Sequence, residues 1–175
     1  LDSAYRFRGL EMSYYEDWLE VADEEIKHFC LLKQALNELG FEYGDFEVHI
    51  NLENALKATA HSLKLRMGVV HRGLEARGLD ANPFVVEKLN STNHSIKPFL
   101  REILDLILKD EIAHVQKGDK WWRFAKEEKD DFIKLCKTYK QFSLAGRVLN
   151  KEARLKAGFD ELELERLESF YQQRV

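Results

Sequence analysis

The chain has 175 residues, 45% hydrophobic and 33% charged, with a formal net charge of -4. That size and apolar share suit one soluble domain with its own core, and the mild acidic balance gives no global electrostatic case for nucleic acid, although residues 117–140 are locally rich in Lys. Two prolines and nine glycines over this length favour long helices over a turn-rich β protein. Cys30 and Cys136 stand far apart with no C-x-x-C or zinc spacing, so they read as incidental thiols of a reducing compartment. No signal peptide is visible and no apolar run approaches the roughly 20 residues of a membrane-spanning helix, so a cytoplasmic protein is expected.

In chain order, "LDSAYRFR" reads as a helical remnant at 1–8, the end of a first helix whose greater part lies upstream. A long second helix is predicted over 12–39, ended by Gly40. Residues 40–51, "GFEYGDFEVHIN", carry no helical period and form a long crossover, with Asn51 as the N-cap of a third helix over 52–77. Gly78 stops that helix, "LDANP" is a loop, and a short helical piece covers 83–90. A fourth long helix begins near Pro98 and runs to Lys126 with Gly118 inside it. Further helices are predicted at 129–141, 151–157 and 161–173, the last opened by a capping box of Asp160 and Glu163. The expected fold is all-α, with a four-helix bundle over 1–127 and a C-terminal helical extension over 128–175 packed on the same domain.

Two of the long helices share a pattern. Positions 18, 21, 25, 28, 32, 35 and 39 alternate by three and four and read Trp18, Val21, Glu25, His28, Leu32, Ala35, Leu39. In the fourth long helix the same spacing reads Leu100, Leu104, Ile107, Glu111, His114, Gly118, Trp121. Each helix therefore places one Glu-x-x-His pair on its core-facing stripe. Such pairs arise by chance in a chain this rich in Glu, and a buried salt-bridge network is the plain alternative. Position favours a metal, because an unpaired buried carboxylate costs several kcal/mol and a bound cation removes that penalty. Residues three apart lie on one helix face, so both side chains of a pair reach one ion. Carboxylate plus imidazole suits iron or manganese, and the lack of a thiolate set argues against structural zinc.

A carboxylate-bridged dinuclear site takes a Glu from each of two helices and a Glu-x-x-His from each of two others. Glu75, at the edge of the third helix's apolar stripe, is the Glu expected there, with a helix-end charge as its alternative. His61 and His71 are expected to be partly buried histidines rather than ligands. Glu11 and Glu16 lie too near a helix start to serve as the fourth Glu. Metal-bound imidazoles usually donate their other N–H to a carboxylate. Asp110 is therefore predicted to orient His28, and Glu24 to do the same for His114. Gly118 leaves room for a substrate or for close helix packing, and Trp121 with Trp122 reads as core.

The segments "DEEIKHF" (23–29), "LEARGLD" (74–80), "DEIAHVQKG" (110–118) and "EARLKAGF" (152–159) together resemble the ferritin-like proteins grouped as domain of unknown function 455, over nearly the whole chain. The resemblance implies a ferritin-like four-helix bundle with a long crossover between its second and third helices and extra C-terminal helices. It implies two iron ions, or manganese or a mixed metal pair, and a further metal-binding Glu upstream of the segment like "LDSAYRFR". The implied activity is that of a di-iron oxidase or hydroxylase that uses oxygen or peroxide on an unnamed substrate. The superfamily's oxygen-dependent tRNA hydroxylase shows similar "EExxHF" and "EAR" segments, which keeps tRNA among the partners to consider, together with a homodimer and no membrane. Iron storage or detoxification, and a structural bundle with a vestigial site, are the competing readings.

Overall fold

The computed structural model describes residues 1–172, and among them every regular element is a helix. No described helix is long and apolar enough to cross a membrane. The chain forms two compact units, one of Leu1–His49 with Asn82–Asp110, the other of Ile50–Ala81 with the chain from Glu111 onward.

The first unit begins with α1 (Asp2–Arg6) and the long α2 (Met12–Glu38). Tyr14, fully buried on α2, donates its hydroxyl to the Ser3 carbonyl at 3.0 Å and packs edge-on against Trp18, which fastens α1 to the start of α2. Residues 41–50 are non-helical, as expected, and leave Phe41, Tyr43, Phe46 and Val48 largely exposed. The unit's apolar centre joins Ala35 of α2 to Ile96 and Ile103, with Leu31, Phe99, Leu100 and Ile107 packed around them.

The second unit departs from the expected third helix. In place of one helix over 52–77 there are α3 (Asn51–Ala58), a break at 59–62, a single turn α4 (Leu63–Leu65), a π-helix (Arg66–Leu74) and α5 (Glu75–Asn90). Asn51 is the first residue of α3, and Ile50 rather than Asn51 holds the cap position. Thr59 folds its hydroxyl back to the Ala55 carbonyl at 2.8 Å and accepts from the buried Arg66 Nε at 2.9 Å, so local polar bonds close the helix that sequence periodicity would have continued. His61, within this break, is exposed rather than partly buried.

Gly78 does not stop α5, and residues 79–90 are neither loop nor separate piece. Gly78 is exposed with open space where a Cβ would stand and keeps the negative φ of a helix, so the left-handed cap that ends helices at Gly is never formed. Pro83 lies inside the helix and cannot donate to the Leu79 carbonyl, which accepts instead from Asn150 Nδ2 at 3.2 Å.

Next comes α6 (Lys97–Ala125), followed by α7 (Phe132–Thr138), α8 (Lys151–Lys156) and α9 (Glu161–Gln172). The expected capping box is present: Glu163 N–H donates to Asp160 Oδ1 at 2.8 Å, and Asp160 N–H reaches back to Glu163 Oε2 at 3.4 Å. The predicted helix over 161–173 has its last residue outside the described ones.

Buried arginines tie the second unit together. Arg72 stacks against the rings of Trp122, Phe132 and Phe159, 4.0 to 4.6 Å from their centroids, and donates to Asp119 at 2.5 Å and Glu163 at 2.9 Å. Arg154 holds Asp80 through two parallel bonds of 2.8 and 2.7 Å, and Asp80 also accepts from the backbone N–H groups of Gly146 and Asn150. Trp121 and Trp122 are both core residues. Burial pushes the Cys136 thiol up to about 12, whereas Cys30 is exposed.

Candidate metal centre

Each Glu-x-x-His pair lies within one unit. On α2, His28 is buried and turns Nδ1 toward Glu25 Oε2 at 3.6 Å, while its Nε2 lies 3.0 Å from Asp110 Oδ2. On α6, in the second unit, His114 is fully buried and turns Nδ1 toward Glu111 Oε2 at 3.9 Å. Both contacts exceed a hydrogen bond. Two donors each about 2.1 Å from one ion stand roughly 3 to 3.5 Å apart, so both pairs are open by a few tenths of an ångström relative to that spacing.

The four side chains are not equally buried. The histidines lie inside, Glu111 is one-fifth exposed, and Glu25 has 47% of its side chain open to solvent. The expectation that Glu25 sits in a buried stripe is corrected here, as it is for Leu32 and Leu39 on the same line. A helix of 3.6 residues per turn drifts about 20° per heptad against a strict three-four spacing, so over the three heptads from Trp18 the line rotates toward solvent. On α6 the most buried positions ahead of the motif are Ile103 and Asp110, one residue off the expected stripe. Asp110 thereby becomes the buried carboxylate that meets His28.

Glu75 opens α5 directly after the π-helix and is half-buried. His71 Nδ1 lies 2.7 Å from Glu75 Oε1, while Oε2 is buried without a hydrogen-bond partner. The placement of Glu75 follows from how the π-helix meets α6. A methyl built on Gly68 would collide with Trp122, one on Gly118 with His71, and Arg72 bonds Asp119. As residue numbers rise along the π-helix they fall along α6, so the two run antiparallel. Four residues on from His71 is Glu75, and four back from Gly118 is His114. The register therefore brings Glu75 level with His114. The space left by Gly118 is filled by the backbone of His71, not by a substrate pocket. Glu24, expected beside His114, is a half-buried residue of α2.

Sequence reasoning took His71 as a satisfied histidine and missed its bond to Glu75, which the His-x-x-x-Glu spacing on one helix face could have disclosed.

These helices and paired groups define an all-α protein that carries carboxylate and imidazole side chains in matched couples. The chain belongs to the family described as "Protein of unknown function (DUF455)", which it matches over residues 1–165. It is similar to an uncharacterized protein of Haemophilus influenzae strain Rd, with 40% identity over 178 residues covering 94% of this chain. The chain spans about 60% of that relative's length. No solved structure matches it.

Proposed function

We propose that this is a ferritin-like four-helix bundle protein in which Glu25, His28, Glu75, Glu111 and His114 hold two iron ions, with manganese as the alternative metal. Glu25, Glu111 and His114 offer two carboxylates and an imidazole to such a site. The long crossover at 40–51 and the added helices after residue 128 fit that architecture.

The observation that carries the reading is the matched pair of approaches from imidazole Nδ1 to its own motif carboxylate, 3.6 Å at His28 and 3.9 Å at His114. The residues present suit a cation in two further ways. Asp110 fixes the far nitrogen of His28, the arrangement that selects a tautomer and turns the other nitrogen toward a metal. Glu75 Oε2 is a buried anionic oxygen with no donor to satisfy it, a state that a cation relieves.

Bound iron would supply two-electron redox chemistry with oxygen or peroxide, and the reaction class that follows is an oxidase or hydroxylase acting on a small or nucleoside-bearing substrate. The chain's own contribution is positional: Asp110 orients an imidazole, and Glu75, Glu111 and Glu25 provide negative charge that offsets the ions.

Anaerobic loading of the full-length protein with ferrous iron, followed by metal analysis and optical spectroscopy on oxygen exposure, tests this. About two irons per chain and an oxygen-dependent absorbance change are expected, both reduced by replacing Glu111 and His114 with Ala. Less than one metal per chain, unchanged in the double variant, would overturn the reading.

A further inference from the structure

We propose that His71 is a positioning residue for Glu75, and this rests on the metal-binding reading above. His71 lies in the π-helix one turn before Glu75, and its Nδ1 engages Glu75 Oε1 at 2.7 Å. The contact divides the carboxylate: Oε1 is committed to His71, and Oε2 remains as a buried acceptor with no partner. A carboxylate held in this way offers a cation one oxygen rather than two. His71 thus sets Glu75 as a terminal, single-oxygen ligand and suppresses the chelating mode.

The backbone around His71 is built to keep this geometry. Its Cβ and carbonyl carbon lie only 2.7 and 2.9 Å from where a methyl on Gly118 would stand, so α6 presses directly on the residue. The next residue, Arg72, is fully buried between Asp119, Glu163 and three aromatic rings. With its neighbours clamped, the His71 ring has little freedom to leave Glu75.

The test uses cobalt(II) alone as the probe, read by competitive titration and by its visible absorption band. His71→Ala is expected to weaken cobalt binding about tenfold or more and to alter the band as Oε1 becomes available. His71→Asn places an amide N–H where Nδ1 stands and is expected to restore affinity to within about threefold of wild type, with the wild-type band. Glu75→Ala provides the reference for loss of the ligand itself, and circular dichroism reports whether each variant is folded. The proposal is overturned if His71→Ala binds cobalt as wild type does with an unchanged band, or if Ala and Asn impair binding equally. Should His71→Ala fail to fold, His71→Asn decides alone: wild-type binding and band support the proposal, and binding as weak as that of Glu75→Ala overturns it. A wild-type protein that takes up no cobalt sinks the metal reading first, and with it the role of His71.

Discussion

Asp80 shows how much a single side chain carries in the second unit. Its two oxygens take both parallel bonds from Arg154 and two backbone N–H groups, and both members of the pair are at most 2% exposed. Replacing Asp80 by Ala leaves the Arg154 guanidinium buried without its counter-ion, which predicts a loss of about 3 to 5 kcal/mol in urea denaturation. An unchanged midpoint would show that the pair contributes nothing. The same scale separates what sequence could reveal from what it could not. The contact between His28 and Asp110 was legible, because an acidic residue adjacent to a motif Glu on one helix can meet the histidine of another. The exposure of Glu25 was not, because the angular drift of a seven-residue line is small within one motif and appears only over several turns. Arg72, an unremarkable residue in sequence, becomes the centre of three aromatic contacts only once distant elements are folded together.

At the level of elements, α2, the connection after it, α6 and the capped α9 were readable from periodicity and cap chemistry. The region from 51 to 90 was not, for two opposite reasons. Thr59 and Arg66 interrupt a periodic stretch that contains no Gly or Pro, while Gly78 and Pro83 fail to interrupt one that contains both. A breaker residue acts only when its backbone takes the breaking conformation or when the freed carbonyl lacks another donor; Asn150 supplies that donor here. Two glycine substitutions test the distinction. Gly118→Ala sets a methyl against the backbone of His71 and Arg72, so overpacking of about 1 to 3 kcal/mol should outweigh the helix propensity gained. Gly78→Ala meets open space in a helical conformation and should stabilise by about 0.4 to 1 kcal/mol. Thermal and urea denaturation should move in opposite directions for the two; a common direction would contradict the packing described for Gly118.

For the whole molecule, the division into units is drawn across helices rather than loops. The boundaries at 81 and 110 fall inside α5 and α6, so each of these helices begins in one unit and ends in the other without a break. The first Glu-x-x-His pair belongs to one unit and the second to the other, while Asp110 and Glu111 are consecutive residues of α6. Sequence periodicity could place both motifs in the same phase, but it has no access to where a continuous helix passes from one packed set of side chains to another.

The π-helix gives this continuity a consequence for chain length. Its wider turns bond residue i to i+5, so compared with an α-helix it accommodates surplus residues without ending the helix. Removing one residue there, for example Val70, would let the stretch relax toward α-helical bonding and turn everything after it by about 100° relative to everything before it. Because α5 follows immediately and carries Glu75 first and Asn82 onward later, one deletion would misplace a carboxylate in one unit and the helical face of the other. A protein lacking Val70 is expected to lose its cooperative denaturation transition and its metal uptake together, whereas deleting Tyr43 from the exposed connection should leave the transition intact. Among relatives of this chain, then, gaps should be read differently by place: an omitted residue in 41–50 shortens a tether, and one in 66–74 rephases a helix.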